Sequence, residues 1–376
     1  MKLQGKYLPV VLLAFSLVPP ARAEEPKDAS ERPAAVVELA RGTVEFKRAG
    51  ADEWKPAPIG TKLDYGDLVR TGRRSRAKLS LGNHIRISLS SNSVAEIQVP
   101  RQNGTPSVGM LLGSLLARVA HGDGPRPFEV HTSSAVAGVR GTVFEVAAAE
   151  DGSCLTTVQE GAVAVEAFAA GEGEGPSEPM LVKAGRAVEV EEGGRPVFAK
   201  ELDTSRWLSR RRQLWKKKGA PEAAWKNVKR RLARYELLLE RIQKLEARLL
   251  EAEKEARRAR RAGRQLQFQQ HAQTMGRLLD RLAVARFELR RLHTYLVAKE
   301  YIAANLPGIG QKAGKSAGPD RARVLARISR VRSKALARLR NQNMRLMRMM
   351  AAWRLSARGL SPLQKWLIRR ARKGRH

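Results

Sequence analysis

Cysteine is almost absent from this sequence, and aromatic residues make up only 5% of it. The single cysteine, Cys154, excludes an intramolecular disulfide and any metal site that is built from several thiolates. No histidine or other activating group adjoins Cys154 along the chain. We therefore interpret it as a half-buried small apolar residue and not as a nucleophile.

Catalytic signatures are missing as well. The chain has no Walker loop, no G-x-G-x-x-G after a strand, no H-E-x-x-H and no G-x-S-x-G. The histidines show no ligand-like spacing and are His84, His121, His131, His271, His293 and His376. We predict a protein that is not an enzyme, has no metal or cofactor, and keeps its histidines at surfaces and interfaces. An enzyme hidden in the basic region is the alternative, although no acid–base or nucleophile set is found there.

Acidic residues are scarce in the second half of the chain. Residues 201–376 contain 47 Lys and Arg against 13 Asp and Glu, whereas residues 24–200 contain 21 against 24. A near-neutral region is thus joined to one that carries the whole net charge of +34. This asymmetry indicates a polyanionic partner or an anionic surface, because the excess is far above what solubility requires.

Long apolar runs are also absent, and the run near the N-terminus, "YLPVVLLAFSLV", is too short to span a bilayer comfortably. Lys2 and Lys6 flank its start, and Ala21 and Ala23 supply small residues at positions −3 and −1 of a cleavage site. We expect residues 1–23 to be a secretory signal peptide that is cleaved after Ala23, which gives a periplasmic or otherwise exported protein. An uncleaved N-terminal anchor is the alternative.

Residues 34–200 have the alternating pattern of β-strands. "RAKLSL" and "HIRISLS" flank Gly82-Asn83, which predicts a hairpin with one solvent-facing side. Asp64 and Asp67 are predicted turn residues and not paired catalytic carboxylates. "RGTVEF" at residues 41–46 resembles "RGTVFE" at residues 140–145. This echo indicates stacked β-layers, or else only the frequency of Gly-x-Val where strands begin.

Helical periodicity replaces the strand pattern from about Ser205. Apolar residues recur at spacings of three and four, at Trp225, Val228, Leu232, Tyr235, Leu239, Ile242 and Leu249, and again at Met275, Leu278, Leu282, Ala285, Leu289, Leu292 and Leu296. For residues 205–305 we predict a basic antiparallel hairpin or coiled coil, with one continuous rod as the alternative because a lone Gly263 is tolerated in a helix. Residues 306–320 are a predicted linker, and residues 321–376 are predicted basic C-terminal helices.

The least random stretch of the sequence contains Gly138, Arg140, Gly141 and Thr142. The glycines permit backbone angles that other residues avoid, and the guanidinium of Arg140 offers five donors that can tie loops together. No helix follows that would hold a phosphate, so the arginine is assigned to the fold. We predict that Arg140 is hydrogen-bonded inside the β region and that Arg140→Ala lowers stability.

The stretch from about Gly42 to Val165 resembles a FecR-type domain in five ordered segments. These are "VVELARGTVEF", "IGTKLDYGDLVRTGRRSRAKLSLGNHIRISLSSNSVAEI", "LLGSLLARV", "FEVHTSSAVAGVRGTVFEV" and "TTVQEGAVAV". The resemblance implies a compact β-roll or β-helix-like module in the bacterial periplasm or envelope. Together with the helical pattern after Ser205, it predicts a multidomain α and β protein, with an N-terminal all-β domain followed by a basic α-helical hairpin or coiled coil. It also makes the "VRGT" piece part of the fold signature.

The best-known proteins of this type relay the status of iron-siderophore transport to a cytoplasmic sigma factor. They carry an anti-sigma segment before a transmembrane helix, whereas only six residues precede the apolar run here. The resemblance therefore favours an exported scaffold or sensing module, and a component of a sigma-factor regulatory system is the alternative.

The basic region supplies the candidate contacts to a partner. They are Lys229, Arg230, Arg257, Arg258, Arg260, Arg261, Arg369 and Arg370. The expected partner is an anionic envelope polymer, a lipid surface or an acidic protein, with self-association through the heptads as a further option. Nucleic acid is less favoured because exported proteins rarely meet it. Trp353 and Trp366 are candidates for an interfacial membrane anchor, or else for core packing.

Overall fold

A computed structural model describes residues 34–98, 100, 105–120, 128–139, 141–168, 178–218, 222–305 and 318–352. The predicted signal peptide, Arg140, most of the predicted linker and everything after Ala352 lie outside the described residues. Within the described part, a β region is followed by helices, as the sequence predicts. In that same part, no helix is both long and apolar enough to cross a bilayer.

The β region consists of strands that pair mainly with antiparallel neighbours. They are β1 (Ala35–Arg41), β2 (Val44–Lys47), β3 (Lys55–Pro56), β4 (Lys62–Leu63), β5 (Leu68–Thr71), β6 (Arg76–Leu81), β7 (Ile85–Leu89), β8 (Val94–Gln98), β9 (Ser107–Val119), β10 (Phe128–His131), β11 (Ala135–Val139), β12 (Val143–Ala148), β13 (Cys154–Glu160), β14 (Ala162–Ala167), β15 (Met180–Lys183), β16 (Ala187–Val190) and β17 (Val197–Ala199). The predicted hairpin around Gly82 is confirmed, because β6 and β7 pair from Ala77↔Leu89 to Leu81↔Ile85.

The strands form two layers that share one long strand. Sheet A has the order β4-β1-β6-β7-β9-β12-β13-β16-β17, and sheet B has the order β3-β2-β5-β8-β9-β10-β11-β14-β15. Strand β9 pairs in sheet B up to Leu112 and in sheet A from Gly113. Gly113 has φ +89° and lies against the backbone of Ser93, so this glycine lets the strand pass between the layers.

The hydrophobic core lies between the two layers. Alternate residues of each strand point inward, for example Leu79 and Ile87 from sheet A and Val108 and Val165 from sheet B, and all four are fully buried. Cys154 is also in this core, where burial raises the pKa of its thiol. The apolar interpretation of Cys154 is thus supported, although the residue is fully and not half buried.

The helices are α1 (Thr204–Lys218), α2 (Glu222–Arg261), α3 (Gln265–Asn305) and α4 (Gly318–Ala352). Helices α2 and α3 form an antiparallel hairpin, because Arg234 pairs with Glu288 and, further along α2, Glu246 pairs with Arg286. The continuous-rod alternative is therefore wrong. Gly263, with φ +67°, makes the turn.

Helix α4 runs parallel to α2 and completes a three-helix bundle. Arg327 of α4 pairs with Glu236, and Arg338 pairs with Glu246, so both helices advance in the same direction. Most of the predicted heptad residues are buried in the bundle core, namely Val228, Leu232, Tyr235, Ile242, Leu249, Met275, Leu278, Leu282, Ala285, Leu289 and Leu296. Leu239 and Leu292 are partly buried against it.

Helix α1 is separate from this bundle and was not distinguished by the sequence pattern. Its Trp207 is fully buried against Ala147, Leu155 and Ala187 on the outer face of sheet A. Its basic side chains also meet acidic residues of the β region. The β region therefore has a helix on one outer face and, as shown next, the bundle on the other.

Candidate functional site

The "VRGT" segment lies at the passage from β11 in sheet B to β12 in sheet A. Gly138 pairs with Glu129 and with Ala164, and Gly141 has φ +61°, which L-residues rarely adopt. Thr142 is buried, and its carbonyl accepts a hydrogen bond from the backbone N–H of Val119 at 3.0 Å. These surroundings agree with a structural role for the segment. Arg140 lies outside the described residues, so its predicted hydrogen bonds stay a prediction.

The outer face of sheet B is polar at its centre, although it is buried. The residues that share this polar face are Glu96, Gln98, Ser107, Glu129, His131 and Glu166. Register places them together, since Glu96 pairs with Gly109, Gly109 with His131, and Val136 with both His131 and Glu166. Helix α3 covers the face, so we call this contact the seam.

At the centre of the seam, a histidine of α3 joins the sheet to the helical bundle. The Nε2–H of His293 donates to the Oε1 of Glu96 at 2.8 Å, and its Nδ1 lies 3.1 Å from the hydroxyl oxygen of Tyr235. The amide nitrogen of Gln98 donates to the hydroxyl of Thr294 at 2.8 Å. Three elements, β8, α2 and α3, are therefore linked by a continuous buried network.

Burial and charge compete at this network. Burial alone would raise the pKa of Glu96, but the charge and hydrogen bond of His293, together with Arg332, outweigh it and hold that pKa below its ordinary value. Burial, with a smaller contribution from Glu96, raises the pKa of Tyr235 far above its ordinary value. The network therefore keeps Glu96 ionised and Tyr235 neutral, which favours a fixed electrostatic contact between the sheet and the helical bundle.

A second group of contacts extends the seam toward β14. The guanidinium of Arg291 lies 3.9 Å from the ring centre of Phe168, and Arg290 donates to the hydroxyl of Ser107 at 2.9 Å. Nε2 of His131 lies 3.1 Å from Oε2 of Glu129, and both side chains are fully buried. Burial lowers the pKa of Arg291 to about 10, and Glu166 counteracts part of this effect.

Comparison with known proteins identifies the β region. Residues 67–164 match the family described as FecR protein. The chain contains a FecR domain. The match includes the "VRGT" segment and every residue of the polar face of the seam except Glu166, so the resemblance noted from the sequence is confirmed. The matched residues lie within the β region, residues 34–200, and for brevity we refer to that whole region as the FecR domain from here on.

Two crystal structures, both described as "a putative anti-sigma factor from Parabacteroides distasonis ATCC 8503", resemble the chain. Each aligns at 21% identity and a TM-score of 0.29, covering 36% of this chain. The chain spans 59% of the length of those structures. The comparison with curated proteins gave no match.

The histidine and metal expectations have different outcomes. His131 and His293 are buried and lie at the interface between the FecR domain and α3, which agrees with an interface role. Within the described ranges, no group of three or more His, Cys, Asp or Glu side chains has an arrangement that could hold a metal ion. Asp67 is a turn residue, since its carboxylate accepts the backbone N–H groups of Ala49 and Asp64 at 3.0 and 2.8 Å.

Helix α1 forms a second electrostatic contact with the FecR domain, on the side opposite to the seam. Its Arg211 contacts Asp151, Glu189 and Glu191 at 2.7 to 3.3 Å and also donates to the hydroxyl of Ser153. Electrostatic attraction to these carboxylates outweighs burial and raises the pKa of Arg211. Helix α1 thus neutralises this acidic cluster of the FecR domain within the chain.

The predicted basic contacts are split by the structure into two groups. Lys229 and Arg230 are exposed on the part of α2 that lies beside the FecR-contacting half of α3. Arg257, Arg258, Arg260 and Arg261 are exposed at the far end of α2, next to the turn. Arg369 and Arg370, like Trp353 and Trp366, lie outside the described residues.

The far group of arginines differs from the near one in its surroundings. Arg257 and Arg258 pair with Glu253 and Glu255 of their own helix. Among the described residues, no carboxylate lies within ion-pairing distance of Arg260, Arg261 or Arg264, which follow them. Between Ala256 and Leu279 the sequence has six arginines and no acidic residue. Positive charge therefore accumulates at the end of the hairpin.

The seam itself was not predicted from the sequence. Its signal was present in "VAEIQ", "FEVH" and "AVEAF", where glutamates alternate with apolar residues as on a solvent-facing strand surface. Alternation identifies a polar face, but it does not indicate that a helix almost 200 residues later covers that face.

Proposed function

We propose that the protein is an exported, non-enzymatic envelope module in which the FecR domain is a scaffold that holds a basic helical bundle toward anionic material. The observation that carries this proposal is the unequal pairing of charge. Basic residues that face the FecR domain meet its carboxylates, whereas Arg260, Arg261 and Arg264 at the end of the hairpin meet none among the described residues.

The pairing near the FecR domain explains why its acidic residues do not neutralise the bundle as a whole. Arg212 lies 2.6 Å from Glu150, and Lys299 lies 3.0 Å from Glu192. Interactions between exposed charges are screened over about 8 Å at physiological ionic strength. Carboxylates of the FecR domain therefore neutralise their immediate partners and leave the distant arginines available to an anionic surface.

The seam supports the scaffold part of the proposal. A bundle that presents charge in one direction must be held rigidly by the domain that supports it. Buried hydrogen-bonded networks specify a single arrangement of the elements that they join. Glu96, His293 and Tyr235 form such a network between the FecR domain and the bundle. The proposal thus gives the seam a positioning role and the exposed arginines a binding role.

The experiment that tests this function is a binding assay with the purified protein at several salt concentrations. Anionic vesicles, isolated cell-wall polymer and nucleic acid are offered in parallel, with neutral vesicles as the control. We expect tight binding to at least one anionic material at low salt and a steep loss as salt rises, because counterions are released on binding. Failure to bind any of them at low salt contradicts the proposal.

A second candidate is a role in a FecR-type sigma-factor regulatory system, and the FecR match over residues 67–164 favours it. In this case the FecR domain would bind a signalling partner instead of, or in addition to, supporting the bundle. Deleting the gene should then change transcription of a defined set of promoters, and the wild-type gene should restore it. An unchanged transcript profile under iron-replete and iron-depleted growth argues against this candidate.

A further inference from the structure

The turn of the hairpin is exposed, positively charged and partly apolar. Residues 260–267 are all solvent-exposed, and we call them the hairpin tip. Gly263 closes the turn in a left-handed conformation, with the N–H of Arg264 donating to the carbonyl of Ala259 at 3.0 Å. A side chain added at Gly263 would meet nothing within 4 Å, so the turn faces open space.

The hairpin tip lies far from the carboxylates of the FecR domain. The contacts that join α3 to sheet B involve Phe287 through Tyr301, whereas α3 begins at Gln265. At 1.5 Å per helical residue, the intervening part of α3 is about 30 Å long. This distance is several times the screening length, which is about 8 Å at physiological ionic strength. The positive potential of the tip is therefore not cancelled by the domain that supports it.

The same end of the bundle is reached by a third helix. Because α4 runs parallel to α2, with Glu236 beside Arg327 and Glu246 beside Arg338, its last residues lie level with the end of α2. Leu346 and Met349 of α4 belong to the same buried cluster as Ala256 of α2. From Arg321 to the end of the sequence there is no acidic residue, so α4 adds no negative charge to this end.

An apolar side chain distinguishes among the anionic partners. Leu266 is 70% exposed and follows Arg264 by two residues, so a large aliphatic group lies beside the arginines. A lipid surface can accept both, since its head groups attract the guanidinium groups and its interface takes up exposed apolar side chains. Nucleic acid and soluble acidic polymers would use the arginines but would leave Leu266 in water.

We infer that the hairpin tip is a contact site for an anionic lipid surface, with Arg260, Arg261 and Arg264 binding the head groups and Leu266 entering the interface. This inference rests on the proposed function and goes beyond it, because it assigns the site and the partner. The seam would then set the direction in which the tip is presented to the membrane.

The test compares two variants that remove the same number of charges. In the first, Arg260, Arg261 and Arg264 are all changed to Gln. In the second, the matched control, Arg230, Arg234 and Arg327 are changed to Gln, because these are exposed arginines near the FecR domain. Binding of each full-length protein to vesicles with about one third phosphatidylglycerol is measured by co-sedimentation, with neutral phosphatidylcholine vesicles and duplex DNA as parallel probes.

We expect the tip variant to bind anionic vesicles about 100-fold more weakly, since each arginine at an anionic surface contributes roughly a fivefold gain in affinity. The control variant should lose less than about fivefold, because its residues lie far from the surface. Leu266→Ser should weaken binding about fivefold even at high salt, whereas Leu237→Ser, at a leucine that is 60% exposed near the FecR domain, should not.

Three outcomes overturn the inference. If both triple variants lose affinity equally, binding depends on total charge and not on the tip. If the tip variant loses DNA binding but anionic vesicles never bind the wild type, the site belongs to nucleic acid. If the wild type binds anionic material and the tip variant is unaffected, the proposed function survives and only the assigned site is wrong.

Discussion

The two ends of the helical bundle have similar residues but opposite surroundings. Near the FecR domain, Arg286 and Lys299 are mostly buried, and each meets a carboxylate within about 3 Å. At the tip, Arg260, Arg261 and Arg264 are exposed and have no carboxylate within reach among the described residues. Arginine therefore fastens the structure at one end and remains available to a partner at the other.

The difference follows from the cost of removing a charge from water. A buried guanidinium must recover its hydration energy from a carboxylate or an aromatic ring, whereas an exposed one keeps its water. At the near end this cost is visible in the pKa of Arg291, which burial lowers to about 10. The near end should thus be sensitive to single substitutions, and the tip should tolerate them.

The largest expected contrast involves two glycines with positive φ. A side chain at Gly113 would lie 2.6 Å from the Cα atom of Ser93, whereas one at Gly263 would meet nothing within 4 Å. We expect Gly113→Ala to lower the free energy of unfolding by about 4 kcal/mol, from left-handed strain and overpacking together. Gly263→Ala should cost about 1 kcal/mol from the strain alone. Denaturant unfolding measures both, and equal losses would contradict this account of β9.

The next largest effect is expected at the seam. Glu96→Gln removes the carboxylate charge that accepts a hydrogen bond from His293 while keeping the size of the side chain. We expect a loss of about 3 kcal/mol at pH 7, because a buried hydrogen bond to a charged group is replaced by a weaker one to a neutral amide. Chemical denaturation of the variant and the wild type measures it.

Acid should reduce the difference in the free energy of unfolding between the wild type and Glu96→Gln. The pKa of Glu96 is lowered in the folded protein, so its contribution is fully present above the ordinary value of 4.5 and is lost as the pH falls through the lower folded value. The difference in the free energy of unfolding between the wild type and Glu96→Gln should therefore be constant from pH 7 to about pH 5 and should become smaller below pH 4.5. A gap that widens in acid would show that Glu96 is not held ionised.

A smaller contrast compares one arginine from each environment. Arg211→Gln removes contacts to Asp151, Glu189 and Glu191, so we expect a loss of about 2 kcal/mol in the free energy of unfolding. Arg261→Gln at the tip should change stability by less than about 0.5 kcal/mol, because exposed substitutions without partners rarely matter more. Thermal unfolding of the two variants tests the difference, and a larger loss at Arg261 would reverse the assignment of the two ends.

The smallest expected effect among the buried side chains is at Tyr235. Tyr235→Phe removes the hydroxyl that lies 3.1 Å from Nδ1 of His293, at a cost of about 1 kcal/mol at neutral pH. Because burial raises the pKa of Tyr235, its contribution is fully present below the ordinary value of 10 and falls as the pH rises above it. The gap between the two proteins should therefore close by about pH 11, since one pH unit corresponds to about 1.4 kcal/mol. A gap that persists unchanged at pH 11 would show that the phenol ionises freely in the fold.

Sequence patterns predicted the structure correctly wherever it depends on residues that are close together along the chain. The alternation in "RAKLSL" and "HIRISLS" fixed both strands and their hairpin, because side chains alternate faces with a period of two. Apolar residues at spacings of three and four fixed α2 and α3. The five ordered segments identified the FecR domain, which the match to residues 67–164 confirms.

Patterns were insufficient wherever a contact joins distant parts of the chain. The choice between hairpin and rod depended on whether Arg234 meets Glu288, which no local pattern encodes. Helix α1 was not separated from the bundle, because its basic composition resembles that of α2. The seam was missed because glutamates in strands are normally solvated.

The sequence by itself determined the β and α regions of this protein, its FecR domain and its excess of positive charge, since composition and short-range periodicity carry that information. Only the tertiary structure decided which charged side chains form ion pairs within the protein and which remain exposed and available to a partner. Pairing depends on distances between elements far apart in the chain, as between Glu96 and His293. The physical reason is that burial makes a charge costly unless a partner is present, and the fold alone brings such partners together.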